Sequence, residues 1–400
     1  MTRVVDDAPG ARLDTRAAAV AVAGLFAVNG MLLGGYGGSL PALRAKLGLD
    51  STAIAILLFL AGLAAILTMQ VGGRLADRYG ARPVALLGLP VIIAGCLVVG
   101  FAPVYGLAIA GAIMIGLGNG AMDVAMNAAG VQVEQARRRP IMSRFHAFFS
   151  IGNFVGAGLI LVISGVFGLG GGAVVLPLMI TMAVIAVATL WPLIRLTPRA
   201  TPVHHTVDGV RTKVPVVAWL LGLMAIGYGL AEGTAVDWAS IHVTDVARVD
   251  PAVGAIGLIA VSAFMTLIRL LGDQLVLRFG RRAVVRFGGI CAAAGYLIVI
   301  TTTPLPLLVL GWALVGFGVG MIAPQVYAVA GHLGGGRVLA LVVTFGYATF
   351  LMGPAVTGFL VRQLGVQHAM ILPGVLCLVI IALAVVLPKT DDGINPRQES

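Results

Sequence analysis

The chain has 400 residues, of which 59% are hydrophobic and only 10% charged, and its mean hydropathy is +1.04. A soluble globular chain averages about 45–50% apolar and about 25% charged residues, so most of this chain is expected to contact lipid. This composition excludes large extramembrane domains. The formal charge of +10 lies between apolar segments and does not form a nucleic-acid-binding stripe.

Twelve apolar segments predict an all-α integral membrane protein, because a bilayer core needs about 20 apolar residues per helix. Six are predicted near 17–40, 53–76, 83–103, 106–130, 143–167 and 172–195. Six more are predicted near 214–237, 252–276, 283–302, 306–330, 338–361 and 367–387. The remaining residues are interpreted as a disordered cytoplasmic tail (1–16), a cytoplasmic linker (196–213) and a second cytoplasmic tail (389–400), which leaves helix bundles at 17–195 and 214–388.

Lysine and arginine residues indicate the orientation of the segments, because cytoplasmic loops carry the excess of positive charge. With the loops assigned alternately to two sides, 21 of the 26 basic residues lie on the side of both termini, four lie on the other side, and Arg269 lies inside a helix. Both termini are therefore predicted to be cytoplasmic, in a multi-pass protein of the plasma membrane. Two ends on one side require an even number of spans, which twelve provides.

Several kinds of chemistry are not expected. Cys96, Cys291 and Cys377 are isolated in apolar runs, so neither a disulfide framework nor a zinc site is predicted. The sequence contains no ATP-binding P-loop and no motif of a membrane hydrolase. We therefore expect no enzyme activity, no cofactor and no metal.

A repeat at a constant offset of 200 residues relates the two halves of the chain. It is marked by glycines, a leucine and arginines of the second loop and by glycines of the fourth helix. Gly72, Leu75, Arg78, Gly80 and Arg82 recur as Gly272, Leu275, Arg278, Gly280 and Arg282, and Gly116, Gly118 and Gly120 recur as Gly316, Gly318 and Gly320. An offset of six helices relates halves of the same orientation, which is the parallel repeat of transporters with a path between the halves.

The run from Gly73 to Arg82, GRLADRYGAR, lies between the second and third predicted helices. It resembles the signature loop of the major facilitator superfamily, and the resemblance extends from the first helix to the last. The family resemblance implies two six-helix bundles that transport a solute by alternating access. It also implies that the charges of this loop act as a cytoplasmic gate.

The gate candidates are glycines and charged residues of this loop and of its degenerate copy in the second half. They are Gly73, Asp77, Arg78, Gly80 and Arg82, followed by Arg269, Gly272, Asp273, Arg278, Gly280 and Arg282. Arg269 and Asp273 are four positions apart, so they share a helix face and could pair. The arginines of both loops also serve the positive-inside topology.

Two further stretches resemble a bacterial branch of the superfamily that is related to fucose permease. These are Asp123 to Asn127 in the fourth helix and Arg139 to His146 before the fifth, although Ala128 stands where that branch has proline. The resemblance implies proton-coupled uptake of a sugar-like solute.

A polar stripe in the fourth helix is the strongest candidate site. Asn119, Asp123 and Asn127 are spaced by four, so successive side chains turn by only about 40° on a helix. An ionised carboxylate inside a span costs at least about 2.5–3.5 kcal/mol on insertion scales. Asp123 is therefore interpreted as a proton-coupling group beside substrate-binding amides, and the alternative is an interhelical hydrogen-bond cluster. Gly116 and Gly120, near the same face, would allow close approach of a neighbouring helix or leave room for substrate.

Further candidates lie on other helices. Glu232 is a second intramembrane carboxylate, either for proton coupling or for structural pairing, while Asp237 is interpreted as a solvated charge at a helix end. With Asn119 and Asn127, the cavity candidates by family counterpart are Asn29, Tyr36, Gln325 and Tyr347.

Three functions stay open on the sequence alone. The first is a secondary transporter that takes up a sugar-like polar solute with protons and works as a monomer in the lipid bilayer. The second is a proton antiporter that exports drugs or other hydrophobic or cationic compounds. The third is a non-transporting membrane scaffold or sensor, for which the loops are too short to carry a signalling domain.

Overall fold

A computed structural model of the protein describes residues 15–137, 141–197 and 215–388. This part of the chain forms fourteen α-helices and two short 3-10 turns, as the all-α prediction requires. The helices of the first half are α1 (Thr15–Gly38), α2 (Leu40–Leu47), α3 (Ser51–Tyr79), α4 (Ala81–Phe101), α5 (Tyr105–Arg137), α6 (Met142–Phe167) and α7 (Val175–Leu196). Those of the second half are α8 (Val216–Ala247), α9 (Pro251–Gly254), α10 (Ile256–Phe279), α11 (Arg281–Thr301), α12 (Leu305–Val319), α13 (Ile322–Ala369) and α14 (Ile371–Leu383). The 3-10 turns are Gly171–Val174 and Ala384–Val386.

The predicted tails and linker lie almost wholly outside the described residues. Of the predicted first tail, Thr15 and Arg16 are described, and they are helical because α1 begins at Thr15. Of the predicted linker, Leu196 ends α7 and Thr197 follows it.

The described helices provide ten segments that are long and apolar enough to cross a membrane. An eleventh results if Met352–Ala369 and Ile371–Val386, which meet at a bend of 72°, are counted as one span. The predicted count of twelve is therefore not confirmed. The predicted loop at 331–337 is wrong, because α13 runs through it for a total of 48 residues and the helix breaks at Gly320 and Met321 instead. The stretch 331–337 contains four glycines but no proline, and each glycine costs a helix only about 1 kcal/mol, whereas a proline costs about 3 kcal/mol.

The repeat of 200 residues recurs in how the helices pack. Gly88 of α4 faces Gly118 of α5, and a Cβ placed on Gly88 would lie 3.0 Å from the Gly118 carbonyl oxygen. Gly288 of α11 faces Gly318 of α12 in the same way, at 2.7 Å. The two halves therefore use equivalent glycines to bring equivalent backbones together.

Gly116 and Gly120 of α5 serve close helix approach. A Cβ on Gly116 would lie 2.8 Å from the carbonyl carbon of Ala61 in α3, and Gly120 packs on the backbone of the same helix at Ala65. Gly316, the counterpart of Gly116, packs on Val261 of α10, again at 2.8 Å from the carbonyl carbon. Of the two roles considered for Gly116 and Gly120, the structure supports the packing role.

The two halves of the chain meet mainly along two helix pairs, α6 with α10 and α3 with α13, and smaller contacts join α1 to α8 and α10 and α2 to α8 and α9. Two opposite ends of the molecule are useful as landmarks. The "α2 end" holds α2, the turn Gly171–Val174 and α9, and the "motif end" holds the connections at Gly80 and Gly280. The polar residues described next lie between these ends.

Candidate functional site

A buried ion pair lies at the centre of the molecule and links its halves. Arg269 of α10 and Glu232 of α8 are 3.1 Å apart between Nη2 and Oε1, and their side chains are only 14% and 13% exposed. Arg269 also donates from Nη1 to the Ser150 hydroxyl of α6 at 2.9 Å. The Tyr228 hydroxyl of α8 donates to the second Glu232 oxygen. We call Tyr228, Glu232, Arg269 and Ser150 the central network.

This arrangement revises the sequence-based grouping of Arg269 with the gate. The spacing made Asp273 one possible partner of Arg269, and the side chain of Asp273 lies outside the described part of the structure; the guanidinium of Arg269 contacts Glu232 and Ser150. Eleven residues separate it from Gly280, a rise of about 16 Å along a helix. Arg269 therefore belongs to the interior, and of the two roles left open for Glu232 the structure supplies the pairing.

A second polar contact joins α6 and α10 near the central network. The Ser262 hydroxyl donates to the Asn153 side-chain oxygen at 2.9 Å, and both residues are buried. Asn153 lies three residues after Ser150 on α6, so the two contacts follow one face of the helix pair. Polar groups are thus satisfied across the boundary between the halves.

The predicted polar stripe of α5 is present, and α1 contributes to it. The Asn29 side-chain nitrogen donates to the Asn119 side-chain oxygen at 3.1 Å. Asn127 donates to both the backbone and the side-chain oxygen of Asp123, at 2.7 and 3.3 Å. The predicted cavity residues Asn29 and Asn119 are therefore in contact, while the transport roles of the stripe stay predictions.

Two features of this "amide stripe" (Asn29, Asn119, Asp123 and Asn127) indicate spare binding capacity. Asn29 is fully buried, yet its side-chain oxygen has no hydrogen-bond partner. The Asp123 carboxylate is half-buried and makes no ion pair within the described part of the chain, where its hydrogen-bond partner is the Asn127 amide. A buried polar group without a partner costs free energy unless something else satisfies it.

Asp237 is not at the end of a helix, as the sequence suggested. The helix α8 continues to Ala247, so Asp237 lies ten residues inside it and is half-buried. Opposite this position, α1 carries Tyr36, which is 5% exposed and whose hydroxyl has no hydrogen-bond partner. The next residue, Gly37, is so close to α8 that an added Cβ would lie 3.7 Å from the Val236 carbonyl oxygen.

The last two cavity candidates are Gln325 and Tyr347, both in α13. The Gln325 side-chain oxygen accepts a hydrogen bond of 2.7 Å from Arg281, the first residue of α11. Gln325 therefore lies towards the motif end, and its role in the cavity stays a prediction. Tyr347 lies in α13, and its side chain is outside the described part.

The two motif loops have matching geometry. Gly80 and Gly280 have φ of 87° and 77° with ψ of 166° and 158°, a region that essentially only glycine occupies. Each backbone N–H donates at 2.8 Å to the carbonyl four residues earlier, which ends the helix in a single residue. Gly80 and Gly280 are thus required by the backbone conformation of the two connections.

The charged residues of these loops lie at the surface of the motif end. Arg78 and Arg278 are exposed, and each is centred 5.2 Å from the ring of the next residue, Tyr79 or Phe279. The Arg282 side chain donates to the Leu387 carbonyl at 2.8 Å. Of the other gate candidates, Arg82 is half-buried. An added Cβ on Gly73 or Gly272 would meet open space. The side chains of Asp77 and Asp273 are outside the described part of the structure.

Polar contacts between the halves at the α2 end were missed by the sequence analysis. Both terminal nitrogens of Arg44 on α2 donate to the Asp245 carboxylate of α8. The Gly171 backbone N–H donates at 3.0 Å to Asp250, whose other oxygen caps α9 by accepting from Ala252 at 2.8 Å. Of these residues only Arg44 entered the sequence analysis, as one of the basic loop residues, and no sequence spacing relates the four. The α2 end is therefore closed by the "α2 latch", Arg44, Asp245, Asp250 and Gly171.

Metal and disulfide chemistry find no support in the described part of the chain. It holds no group of three or more His, Cys, Asp or Glu residues that could bind a metal ion. The three cysteines are free.

Comparisons with known proteins agree with this architecture. The family model of the Major Facilitator Superfamily matches residues 22–331 and 221–400. The uncharacterized transporter y4wD of Sinorhizobium fredii is 31% identical over 380 residues, which cover 92% of this chain and 97% of that protein. An uncharacterized MFS-type transporter of Yersinia pestis is 31% identical over 344 residues, 84% of this chain and 87% of the relative.

Solved structures of distant sequence share the fold. The nucleoside transporter NupG has a TM-score of 0.70 at 12% sequence identity, and the alignment covers 92% of this chain and 98% of NupG. The E. coli fucose:proton symporter FucP has a TM-score of 0.62 at 16% identity, with 92% of this chain and 97% of FucP aligned. A bacterial homologue of the lysosomal transporter Spinster, in an inward-facing and occupied conformation, has a TM-score of 0.71 at 13% identity, with 95% and 97% aligned.

Proposed function

The chain belongs to the Major Facilitator Superfamily, and on that premise we propose that it takes up a sugar-like polar solute together with protons. Like the relatives that are named as transporters, it is a multi-pass transporter of the cell membrane and not an enzyme. We further propose that it works as a monomer, because the solute path lies between two halves of one chain. The observation that carries the proposal is the half-buried Asp123 carboxylate. Its hydrogen-bond partner is the Asn127 amide, and it forms no ion pair with a cation of the described part of the chain.

The proposed topology has twelve spans, in bundles at 17–195 and 214–388, with both termini in the cytoplasm. With 48 residues, α13 exceeds twice the about 20 residues that one span needs, so it is long enough to contribute to two spans, between which the chain would reverse its direction. We assign α12 with the first part of α13 to the tenth span, the part around Pro354 to the eleventh, and α14 to the twelfth. The topology can be tested by fusing to each terminus a reporter that is active only outside the cell. Both fusions should be inactive, and activity of either one would contradict the topology.

Asp123 and Glu232 are given different roles. Glu232 already has a cation and a tyrosine hydroxyl as partners, so its negative charge is compensated. Asp123 has only Asn127, so its charge is the one that a proton or a solute would compensate. We therefore propose Asp123 as the main coupling group, and Glu232 as a group that holds Arg269 between the halves.

The solute class rests on the amide stripe. Asn29, Asn119 and Asn127 offer carbonyl acceptors and amide donors along about 12 Å of the interior, and the Asn29 oxygen has no protein partner. Hydroxyl groups both donate and accept hydrogen bonds, so they suit such amides. The fold neighbours FucP and NupG are named for fucose and nucleosides, and both kinds of solute contain a sugar.

Alternating access would proceed by breaking the contacts that close one end. The α2 latch joins the halves at the end that the charge distribution places outside the cell, so we interpret this conformation as closed to the outside. Opening outwards would separate Arg44 from Asp245 and Gly171 from Asp250. The motif loops at the opposite end are proposed as the cytoplasmic gate, with Asp77 as the acid of the first loop.

The coupling role of Asp123 can be tested by transport into proteoliposomes that contain the purified protein. With a sugar that the wild type concentrates, Asp123→Asn should abolish uphill accumulation while it preserves exchange of labelled for unlabelled solute. Asp50→Asn is the matched control, because it removes one carboxylate outside the interior and asparagine still caps α3 as Asp50 does. Normal accumulation by Asp123→Asn would show that Asp123 is not the coupling group.

Proton antiport of cationic compounds is the second candidate. It is favoured by one observation, the excess of negative charge in the described interior. Three carboxylates lie there, on Asp123, Glu232 and Asp237, with the guanidinium of Arg269 among them. Export predicts that deletion of the gene raises sensitivity to lipophilic cations, whereas uptake predicts loss of growth on a nutrient.

A further inference from the structure

The charges of the interior do not balance. Away from the helix ends, the described interior contains the carboxylates of Asp123, Glu232 and Asp237, while Arg269 is the guanidinium among them. Glu232 and Arg269 neutralise each other. Asp123 is assigned above to the proton. Asp237 is left as a carboxylate without a hydrogen-bond or ion-pair partner in the described part of the chain.

The surroundings of Asp237 contain a second group that lacks a partner. Tyr36 is buried, and its hydroxyl makes no hydrogen bond. The neighbouring contact of Gly37 with Val236 shows that α1 and α8 cross at this level, one residue away from Tyr36 on α1 and from Asp237 on α8. An acid on one half and a phenol on the other therefore lie on the same level between the halves.

The position of Tyr36 relates this level to the amide stripe. Tyr36 follows Asn29 by seven residues on α1, so the two side chains leave the helix in directions that differ by only about 20°. They are separated by a rise of about 10 Å along the helix axis. A single sugar ring with a hydrogen-bonded group at each end has about this reach. One solute could therefore contact Asn29 and Asn119 at one end and Tyr36 and Asp237 at the other.

We propose that Asp237 and Tyr36 form a subsite for a protonated amine, and that the transported solute is a hydroxylated amine of the amino-sugar type. This inference rests on the proposed function, because it names the solute of the same path. An ammonium group would donate to the carboxylate in a charge-assisted hydrogen bond and restore the charge balance of the interior. A solute with a carboxylate or phosphate would add negative charge beside Asp123 and Asp237 and would be rejected.

The test compares three pyranoses of similar size on the purified full-length protein, namely glucosamine, glucose and glucuronate. Apparent affinities come from the rise in melting temperature with concentration. We expect glucosamine to bind more tightly than glucose and glucuronate not to bind. Asp237→Asn should weaken glucosamine binding roughly tenfold to hundredfold, as for a lost hydrogen bond to a charged group, and should leave glucose within about twofold. Asp50→Asn, which alters an exposed carboxylate, should change neither.

A second variant covers the case in which Asp237→Asn does not fold. Tyr36→Phe removes only the unpartnered hydroxyl and leaves the ring, so it should fold and weaken glucosamine binding roughly threefold to tenfold, as for a neutral hydrogen bond. Equal binding of glucose and glucosamine, no stabilisation by any of the three, or unchanged glucosamine binding in both variants would overturn the proposal.

Failure of this inference is distinguishable from failure of the proposed function. If a sugar drives proton uptake that is lost in Asp123→Asn, but glucosamine binds equally well to the wild type, Asp237→Asn and Tyr36→Phe, proton-coupled sugar transport stands and the amine subsite is wrong. If glucosamine binds through Asp237 but moves no protons, the subsite stands and the coupling proposal is wrong.

Discussion

The Glu232–Arg269 ion pair predicts a strong contrast between single and double substitutions. The two side chains are 3.1 Å apart and about one-seventh exposed. At this separation and an effective dielectric constant of about 20, their attraction is about 5 kcal/mol, most of which offsets the cost of removing two charges from water. Glu232→Gln or Arg269→Met alone leaves one buried charge without its partner and should cost roughly 3–5 kcal/mol. The double variant removes both charges and should lie close to the wild type.

The assay is the apparent melting temperature of the purified protein in one detergent, because the comparison needs only the order of four proteins. We expect both single variants to melt several degrees below the wild type and the double variant to recover most of that loss. Ser150→Ala is a useful fourth variant, since it removes the acceptor of Arg269 on the other half and leaves the ion pair intact. A double variant that is as unstable as the sum of the two single variants would refute the reasoning, because the two charges would then act independently.

Two further predictions concern packing and the α2 latch. Gly116→Ala should destabilise the protein by about 1–3 kcal/mol, because its Cβ would meet the backbone of Ala61. Gly106→Ala in the same helix is the control and should be neutral, because its Cβ would meet open space. Equal melting temperatures of the two variants would contradict this reasoning. Arg44→Ala and Asp245→Ala should show a coupling of about 0.5–1 kcal/mol in a double-mutant cycle by thermal unfolding, since their side chains are 19% and 32% exposed, and the coupling should fall at high salt. No coupling at low salt would remove this pair from the latch.

Sequence patterns were sufficient where the determining interactions are local or periodic. Lipid-facing helices follow from runs of apolar residues, and the offset of 200 followed from glycines whose lack of a side chain is required wherever backbones touch, as at Gly116 and Gly316. The glycine at position 80 was predicted only as part of a family motif. Its backbone conformation gives the physical reason, since a positive φ with an extended ψ connects α3 and α4 in one residue.

Other features depend on which helix faces which, and the sequence could not supply them. Arg269 shares a helix face with Asp273, but its partner Glu232 comes from α8, 37 positions earlier. Asp237 was placed at a helix end because the apolar run stops there, whereas α8 continues for ten residues towards the α2 latch. The continuous α13 was missed for the opposite reason, since glycines near 335 read as a loop although the backbone stays helical.

Proton movement during transport tests the central claim most directly. External pH is recorded around proteoliposomes that hold the wild type, Asp123→Asn or Asp50→Asn, while pools of sugars and amino sugars and then lipophilic cations are added. The account predicts external alkalinisation with a sugar or amino-sugar pool, retained in Asp50→Asn and lost in Asp123→Asn. Alkalinisation that persists in Asp123→Asn, or proton release that only lipophilic cations elicit under an outward proton gradient, would contradict proton-coupled uptake through Asp123.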